Sequence, residues 1–236
     1  MEPADLSDTR EPEHIAFSTI LASSVHDIKN ALGLILQTLD KVSEQVKKID
    51  PESKEIPLLQ YEAARVNTLM VQLLALYKAE QKQLPLNINY YNVYDFLEEQ
   101  ALSLEHLSES RNITISFEVD DDELEWAFDY DLVATVFNNI ITNSIRYCRQ
   151  HIKLEATIDN NELLMRISDD GDGYPEKMLK YQNNYILGIN QSSGSTGLGI
   201  YFAGQVAKLH KRDSSKGEIK LSNHPDGGGV FEIRLP

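Results

Sequence analysis

Three short stretches of this chain combine residue types that could do chemistry together. In "VHDIKN", residues 25–30, a histidine stands beside an acid and, four positions on, an amide. On a helix Asn30 shares the face of His26, while Asp27 is turned by about 100° yet stays adjacent. An imidazole so flanked is either ordinary solvated polarity or a nucleophile assisted by a carboxylate and an amide. In "NNIITNSIRYC", Asn139 and Asn143 sit one helical turn apart, and Arg146 and Tyr147 continue their face. Amide oxygens are hard ligands suited to Mg²⁺, a guanidinium suits phosphate, and a tyrosine ring can cover a purine.

The third stretch is split in two. "ISDDGDGYPEKM" ends a strand with Asp170-Gly171-Asp172-Gly173, where a carboxylate can accept a hydrogen bond from an exocyclic amine. Gly171 and Gly173 remove side chains where a flat base must approach the backbone. Further on, "GSTGLGI" places Thr196, Gly197, Leu198 and Gly199 in a glycine turn that opens a helix. Backbone N–H groups at such a turn make a polyphosphate site. Each piece alone is weak, since paired asparagines are commonly surface polarity and a glycine pair is usually a turn.

The elements that must position these groups can be read from periodicity. Leu21, Val25, Ile28, Leu32, Ile35, Leu39, Val42, Val46 and Ile49 are spaced alternately by four and three, an a/d heptad seam. "DPES" breaks it, with Asp50 as N-cap and Pro51 at the first position of a second helix. That helix has its own seam: Ile56, Leu59, Ala63, Val66, Met70, Leu73 and Tyr77. Two such helices form an antiparallel hairpin with more apolar surface than one hairpin covers, so a dimer closing a four-helix bundle is expected ahead of the alternative, packing against the rest of the same chain. Past Pro85 the period changes. Strands are expected at "NITISFEV", "LEWAF", "IKLEATI", "LLMRIS", "GEIKLS" and "VFEIRLP". Helices are expected from Val93 to Ser110, from Asp129 to Cys148 and from Thr196 to Lys211. Strands and helices that do not alternate strictly imply an α+β two-layer sandwich. The expected division is a polar tail over 1–13, a helical dimerisation domain over 14–83 and the sandwich over 84–236.

Composition removes several classes of function. With 22 basic and 37 acidic side chains the net charge is -15, which argues against a nucleic-acid partner. A single cysteine, Cys148, excludes an intrachain disulfide and a cysteine metal cluster, and suits a reducing compartment. No apolar run is long enough for a membrane span, and the acidic start does not read as a signal peptide. A cytoplasmic location follows. The remaining histidines, His14, His106, His151, His210 and His224, lack the spacing of metal ligands. Cys148 reads as a packing residue and Trp126 as core.

Taken together, and in this order, the asparagine pair and the two glycine stretches resemble the N box and the two glycine boxes of the ATP-binding domain of sensor histidine kinases. This is the Bergerat nucleotide fold, and the likeness covers roughly residues 84–236. The heptad hairpin resembles the family's dimerisation and phosphoacceptor domain. The resemblance implies ATP and Mg²⁺ as cofactors, with Asn139 and Asn143 toward the metal. It implies that Arg146, Tyr147, Asp170, Gly171, Gly173, Thr196, Gly197, Leu198 and Gly199 bind the nucleotide. On the hairpin it implies His26 as phosphoacceptor, Asp27 as the acid that orients it, and Asn30 as a residue positioning water for dephosphorylation. The implied activity is autophosphorylation followed by transfer to a response-regulator aspartate, with phosphatase activity toward the same partner. The alternatives are a non-catalytic phosphotransfer scaffold and a phosphatase-dominant member. Departures from the family are Ala31 where a proline is usual, Ser195 for a glycine, and a lid between residues 174 and 195 whose only basic residues are Lys177 and Lys180. With no input domain or receiver read beside the core, the signal is expected through a separate sensor protein, or else the chain serves as a shared phosphodonor without input of its own.

Overall fold

The computed structural model describes residues 17–50, 55–180 and 197–236; some side chains within its helices, that of His26 among them, lie outside this description. So do Thr196, the lid over 181–195 and the turn holding Pro51. The chain divides into two compact units, Met1–Tyr77 and Lys78–Pro236.

The first unit holds α1 (Phe17–Ile49) and most of α2 (Glu55–Glu80). Gln60 Nε2 donates to Asp40 Oδ1 at 2.7 Å, tying the two helices together near their shared end. The heptad seam of α1 separates into two stripes. Leu32, Leu36, Leu39, Ser43 and Val46 are buried or half-buried. Ile28, Ile35, Val42 and Ile49 stay 46%, 48%, 37% and 85% exposed, and Leu59 and Val66 do the same on α2. Leu36 and Ser43, which the seam passed over, take inward places because a helix turns 3.6 residues at a time and two neighbouring stripes compete. Gln72 is fully buried, and neither end of its amide has a hydrogen-bond partner among the described residues.

The second unit is a sheet with helices on one face. Five strands lie in the order β2-β4-β5-β9-β8, built from β2 (Thr114–Val119), β4 (His151–Asp159), β5 (Glu162–Asp169), β8 (Glu218–Asn223) and β9 (Gly229–Leu235). Only β2 and β4 are parallel, and α5 (Tyr130–Tyr147) lies in the chain between them. The other helices are α3 (Val93–Ser103), the short α4 (Glu105–Glu109) and α6 (Glu176–Lys180), and α7 (Leu198–Leu209). Two small ribbons complete the unit: β1 (Ile88–Asn92) with β3 (Glu125–Asp129), and β6 (Lys211–Arg212) with β7 (Ser215–Lys216).

Strand alternation decides which side faces the helices. Leu163, Met165 and Ile167 on β5 and Phe231, Ile233 and Leu235 on β9 are buried. Their neighbours carry charge instead: Glu118, Lys153, Glu155, Arg166 and Glu232 run across four strands as a ladder of ion pairs from 2.7 to 3.8 Å. Under the helices, Phe96 meets Phe128, Tyr130 and Phe137 edge-on, with ring centroids 5.2, 5.3 and 5.1 Å away. Each fully buried phenylalanine contributes about 1.5–3 kcal/mol, so this knot fixes the inner face of α5.

The ends of α5 and α7 are joined by a buried histidine. Asp129 caps α5, accepting the Leu132 amide at 3.0 Å on Oδ1 and the Asn87 amide at 2.8 Å on Oδ2. Its own N–H donates to His210 Nε2 at 2.9 Å, while His210 Nδ1 donates to the Val206 carbonyl at 2.8 Å. Only the neutral ring satisfies both contacts. Burial holds His210 below the usual histidine range, against the opposing pull of the Val206 carbonyl and the Asp129 charge. Trp126, expected in the core, is half-buried and carries the Arg212 guanidinium 5.0 Å above its ring.

Candidate functional site

The outer face of α5 carries the first part of the site. Asn143 Nδ2 donates to Asn139 Oδ1 at 3.2 Å, so the two amides are paired along one turn, as their spacing requires. Ile140, Ile141 and Ile145 anchor the opposite face in the core. Arg146 is half-buried and Tyr147, at the end of the helix, is exposed. The first turn of α7 presses on the same asparagine: a Cβ at Gly199 would lie 2.0 Å from Asn139 Oδ1. Gly197 is the N-cap of α7, with φ 67° and no side chain of its own to cap the helix. Glycine is thus required at both positions, once for left-handed backbone and once for close approach. Asn139, Asn143, Gly197, Leu198 and Gly199 are gathered at one place, where the first turn of α7 meets the paired amide side chains.

The strand-end acids are used differently from expectation. The Asp170 carboxylate turns to the loop after α5, where Oδ1 accepts the Arg149 amide at 2.8 Å and both oxygens take the Gln150 amide at 3.1 Å. Burial alone would raise its pKa, but the backbone N–H groups of Gln150, Arg149 and His151 bring it below the usual carboxylate range. Asp170 is a loop staple. The acid placed under the helix layer is its neighbour, Asp169. Asp169 Oδ1 accepts the Gly171 amide at 3.0 Å and the Gly229 amide at 3.1 Å, and Oδ2 accepts the Ser144 hydroxyl at 3.1 Å. A carboxylate offers about four acceptor positions, so Oδ2 keeps one in reserve.

Asp169, Ser144 and Gly229 are residues that the motif reading passed over, and the signal for the first was available. Asp169 continues the inward alternation of Leu163, Met165 and Ile167, whereas Asp170 falls on the opposite side. The acid-x-Gly-x-Gly pattern also begins at Asp169. The glycines themselves are where expected. A Cβ at Gly171 would meet the Tyr147 carbonyl at 2.5 Å, and Gly173 has φ +80°. Cys148 follows Tyr147 at the end of α5; burial first, then the Asp170 and Asp169 charges, push its thiol up to about 11.

Mg²⁺ fits the donors on α5, since it takes oxygen ligands and is usually held by one or two side-chain oxygens together with substrate phosphates and water. Among the described residues no group of three or more histidines, cysteines and acids could hold a metal ion by itself. No helix among them is long and apolar enough to cross a membrane.

Comparison with known proteins agrees with this geometry. Residues 128–236 match the family described as histidine kinase-, DNA gyrase B-, and HSP90-like ATPase. Histidine kinase P4 of Formosa agariphila is 27% identical over 221 residues, covering 89% of this chain and 16% of that protein. Sporulation kinase A of Bacillus subtilis is 24% identical over 244 residues, covering 98% of this chain and 38% of that protein. The chain therefore spans well under half the length of either relative. The catalytic domain of the histidine kinase ThkA superposes with a TM-score of 0.55 at 20% identity, covering 64% of this chain and 98% of that domain. Over residues 128–236 this chain is thus similar to the histidine kinase-, DNA gyrase B- and HSP90-like ATPases, and over most of its length it is similar to proteins named as histidine kinases.

Proposed function

We propose that the chain is an ATP-dependent protein-histidine kinase that phosphorylates His26 and passes the phosphoryl group to an aspartate of a response regulator. The observation that carries this reading is the Asp169 carboxylate, fixed by Gly171, Gly229 and Ser144 with one acceptor position in reserve. That position takes the exocyclic amine of adenine, a role assigned here to Asp169 in place of Asp170. The glycines at 171 and 173 let the base approach, and Tyr147 covers it. Arg146 and the amides at Gly197, Leu198 and Gly199 hold the phosphates, with Thr196 beside them. Asn139 and Asn143 would hold Mg²⁺ through their amide oxygens, and the ion would neutralise charge on the β- and γ-phosphates.

In the transfer step an imidazole nitrogen of His26 bonds to the γ-phosphorus while the bond to the bridging oxygen breaks. ADP leaves with that electron pair, and Asp27 orients the ring and takes its proton. In the second step a regulator carboxylate displaces the histidine, giving an acyl phosphate. Asn30 aligns water for hydrolysis of that acyl phosphate, so the reading includes phosphatase activity. The exposed stripe of Ile28, Ile35, Val42 and Ile49, with Leu59 and Val66, supports a homodimer closing a four-helix bundle.

The test uses the full chain with γ-labelled ATP and Mg²⁺. The expected product carries an acid-labile, alkali-stable label that His26→Ala abolishes. Nucleotide binding without any label would contradict the kinase reading and favour a phosphatase-dominant protein.

A further inference from the structure

Asn223 ends β8, and its amide grips the glycine turn that follows β5. Its Oδ1 accepts the Tyr174 amide at 2.7 Å, and its Nδ2 donates to the Tyr174 carbonyl at 2.9 Å. One side chain thus closes both hydrogen bonds of a backbone residue, as a paired strand would. Gly173, just before, is pressed against the same amide: a Cβ there would lie 2.7 Å from both Cγ and Oδ1 of Asn223. With φ +80° as well, that glycine is required twice over. The grip reaches the acid. A Cβ built at Gly229 would lie 3.1 Å from Tyr174 Cε2 and 3.1 Å from Asp169 Oδ2, so the ring and the carboxylate meet over one glycine. Burial, then the Asp169 charge, push the Tyr174 hydroxyl above its usual range.

From these contacts we infer that Asn223 is a positioning residue of the nucleotide site, setting through Tyr174 how well Asp169 tells a purine bearing an exocyclic amine from one bearing a carbonyl. The inference rests on the proposal that Asp169 reads adenine. Asn223 acts through the Tyr174 backbone, so its removal shifts the turn and the ring without removing the acid. A residue that merely tied β8 to the loop would change stability and leave base selectivity alone.

The experiment measures the affinity of the full chain for ATP and for inosine triphosphate, with Mg²⁺, in wild type and in Asn223→Ala. The wild-type protein prefers ATP, and Asn223→Ala lowers the ratio of the two affinities roughly tenfold, the size expected for loss of two hydrogen bonds. Asn223→Ser, which keeps an oxygen for the Tyr174 amide, gives an intermediate ratio and supplies the measurement if the alanine variant does not fold. An unchanged ratio in a folded variant, whatever happens to its thermal midpoint, overturns the role of Asn223. A wild-type protein that does not discriminate the two nucleotides overturns the adenine reading itself, and this inference with it.

Discussion

The two units of this chain finish their cores differently. The ATPase unit buries Phe96, Phe128, Phe137, Phe202 and Phe231 completely and covers the far face of its sheet with ion pairs. The helical unit leaves Ile28, Ile35, Val42, Ile49, Leu59 and Val66 exposed and buries a glutamine, Gln72, whose amide has no hydrogen-bond partner among the described residues. A repeated apolar stripe on a helix is unusual where nothing covers it, whereas charged ladders on an open sheet face need no cover. The difference teaches that the second unit closes its core within one chain, while the helical unit keeps an apolar stripe exposed, as the proposed dimer requires.

The largest effect should come from the aromatic knot. Phe137→Ala removes a side chain that touches Phe96 edge-on and should cost about 3–5 kcal/mol in denaturant unfolding of the ATPase unit. Helical content from the first unit should survive that loss if the two units are independent. A single cooperative transition carrying both would break the comparison. Next in size, Ile35→Asp with Val42→Asp should weaken self-association about a hundredfold, read as a change from dimer to monomer mass by light scattering. ATP affinity should stay as in wild type, because neither residue belongs to the nucleotide unit. A chain monomeric before substitution would remove the reason given for the exposed stripe.

The smallest effect is one of pH. His210 is held neutral, below its usual value of 6.5, so the unfolded chain binds the extra proton first. The stability contributed by the His210 contacts is therefore complete above about pH 6.5 and is lost as pH falls below it. The slope is at most about 1.4 kcal/mol per pH unit for one proton. It should flatten in His210→Gln, measured by urea midpoints between about pH 7 and 5. An equal slope in both proteins would assign the pH dependence elsewhere.

Much of the ATPase unit was legible in the sequence because its long strands and helices obey clean periods. The expected strands from residue 112 on each fall on an observed one, and α5 and α7 begin within two residues of their expected starts. What was missed is short. β1 has five residues, of which the first three are exposed, and β6 and β7 have two each around Asp213, whose φ is 55°. The site was legible in its residue types and glycines but not in which acid faced inward. Adjacent aspartates are equivalent to composition, and it takes the alternation along β5 and the spacing to Gly171 and Gly173 to separate Asp169 from Asp170. On α1 the heptad pattern was visible, but a pattern of that kind does not say which of two neighbouring stripes turns inward. Ser43, a polar residue in the inner stripe, is where that choice went against hydrophobicity.

The claim on which the rest depends is that Asp169, not Asp170, reads the nucleotide base. The measurement is calorimetric ATP affinity, with Mg²⁺, for Asp169→Asn and Asp170→Asn beside wild type. Asp169→Asn should lose at least roughly a hundredfold in affinity, as a site does when a charged acceptor facing its ligand is neutralised. Asp170→Asn should stay within a few-fold of wild type and show its effect in stability instead, through the loop amides of Arg149 and Gln150. The reverse order, with binding abolished by Asp170→Asn and kept by Asp169→Asn, would contradict the account.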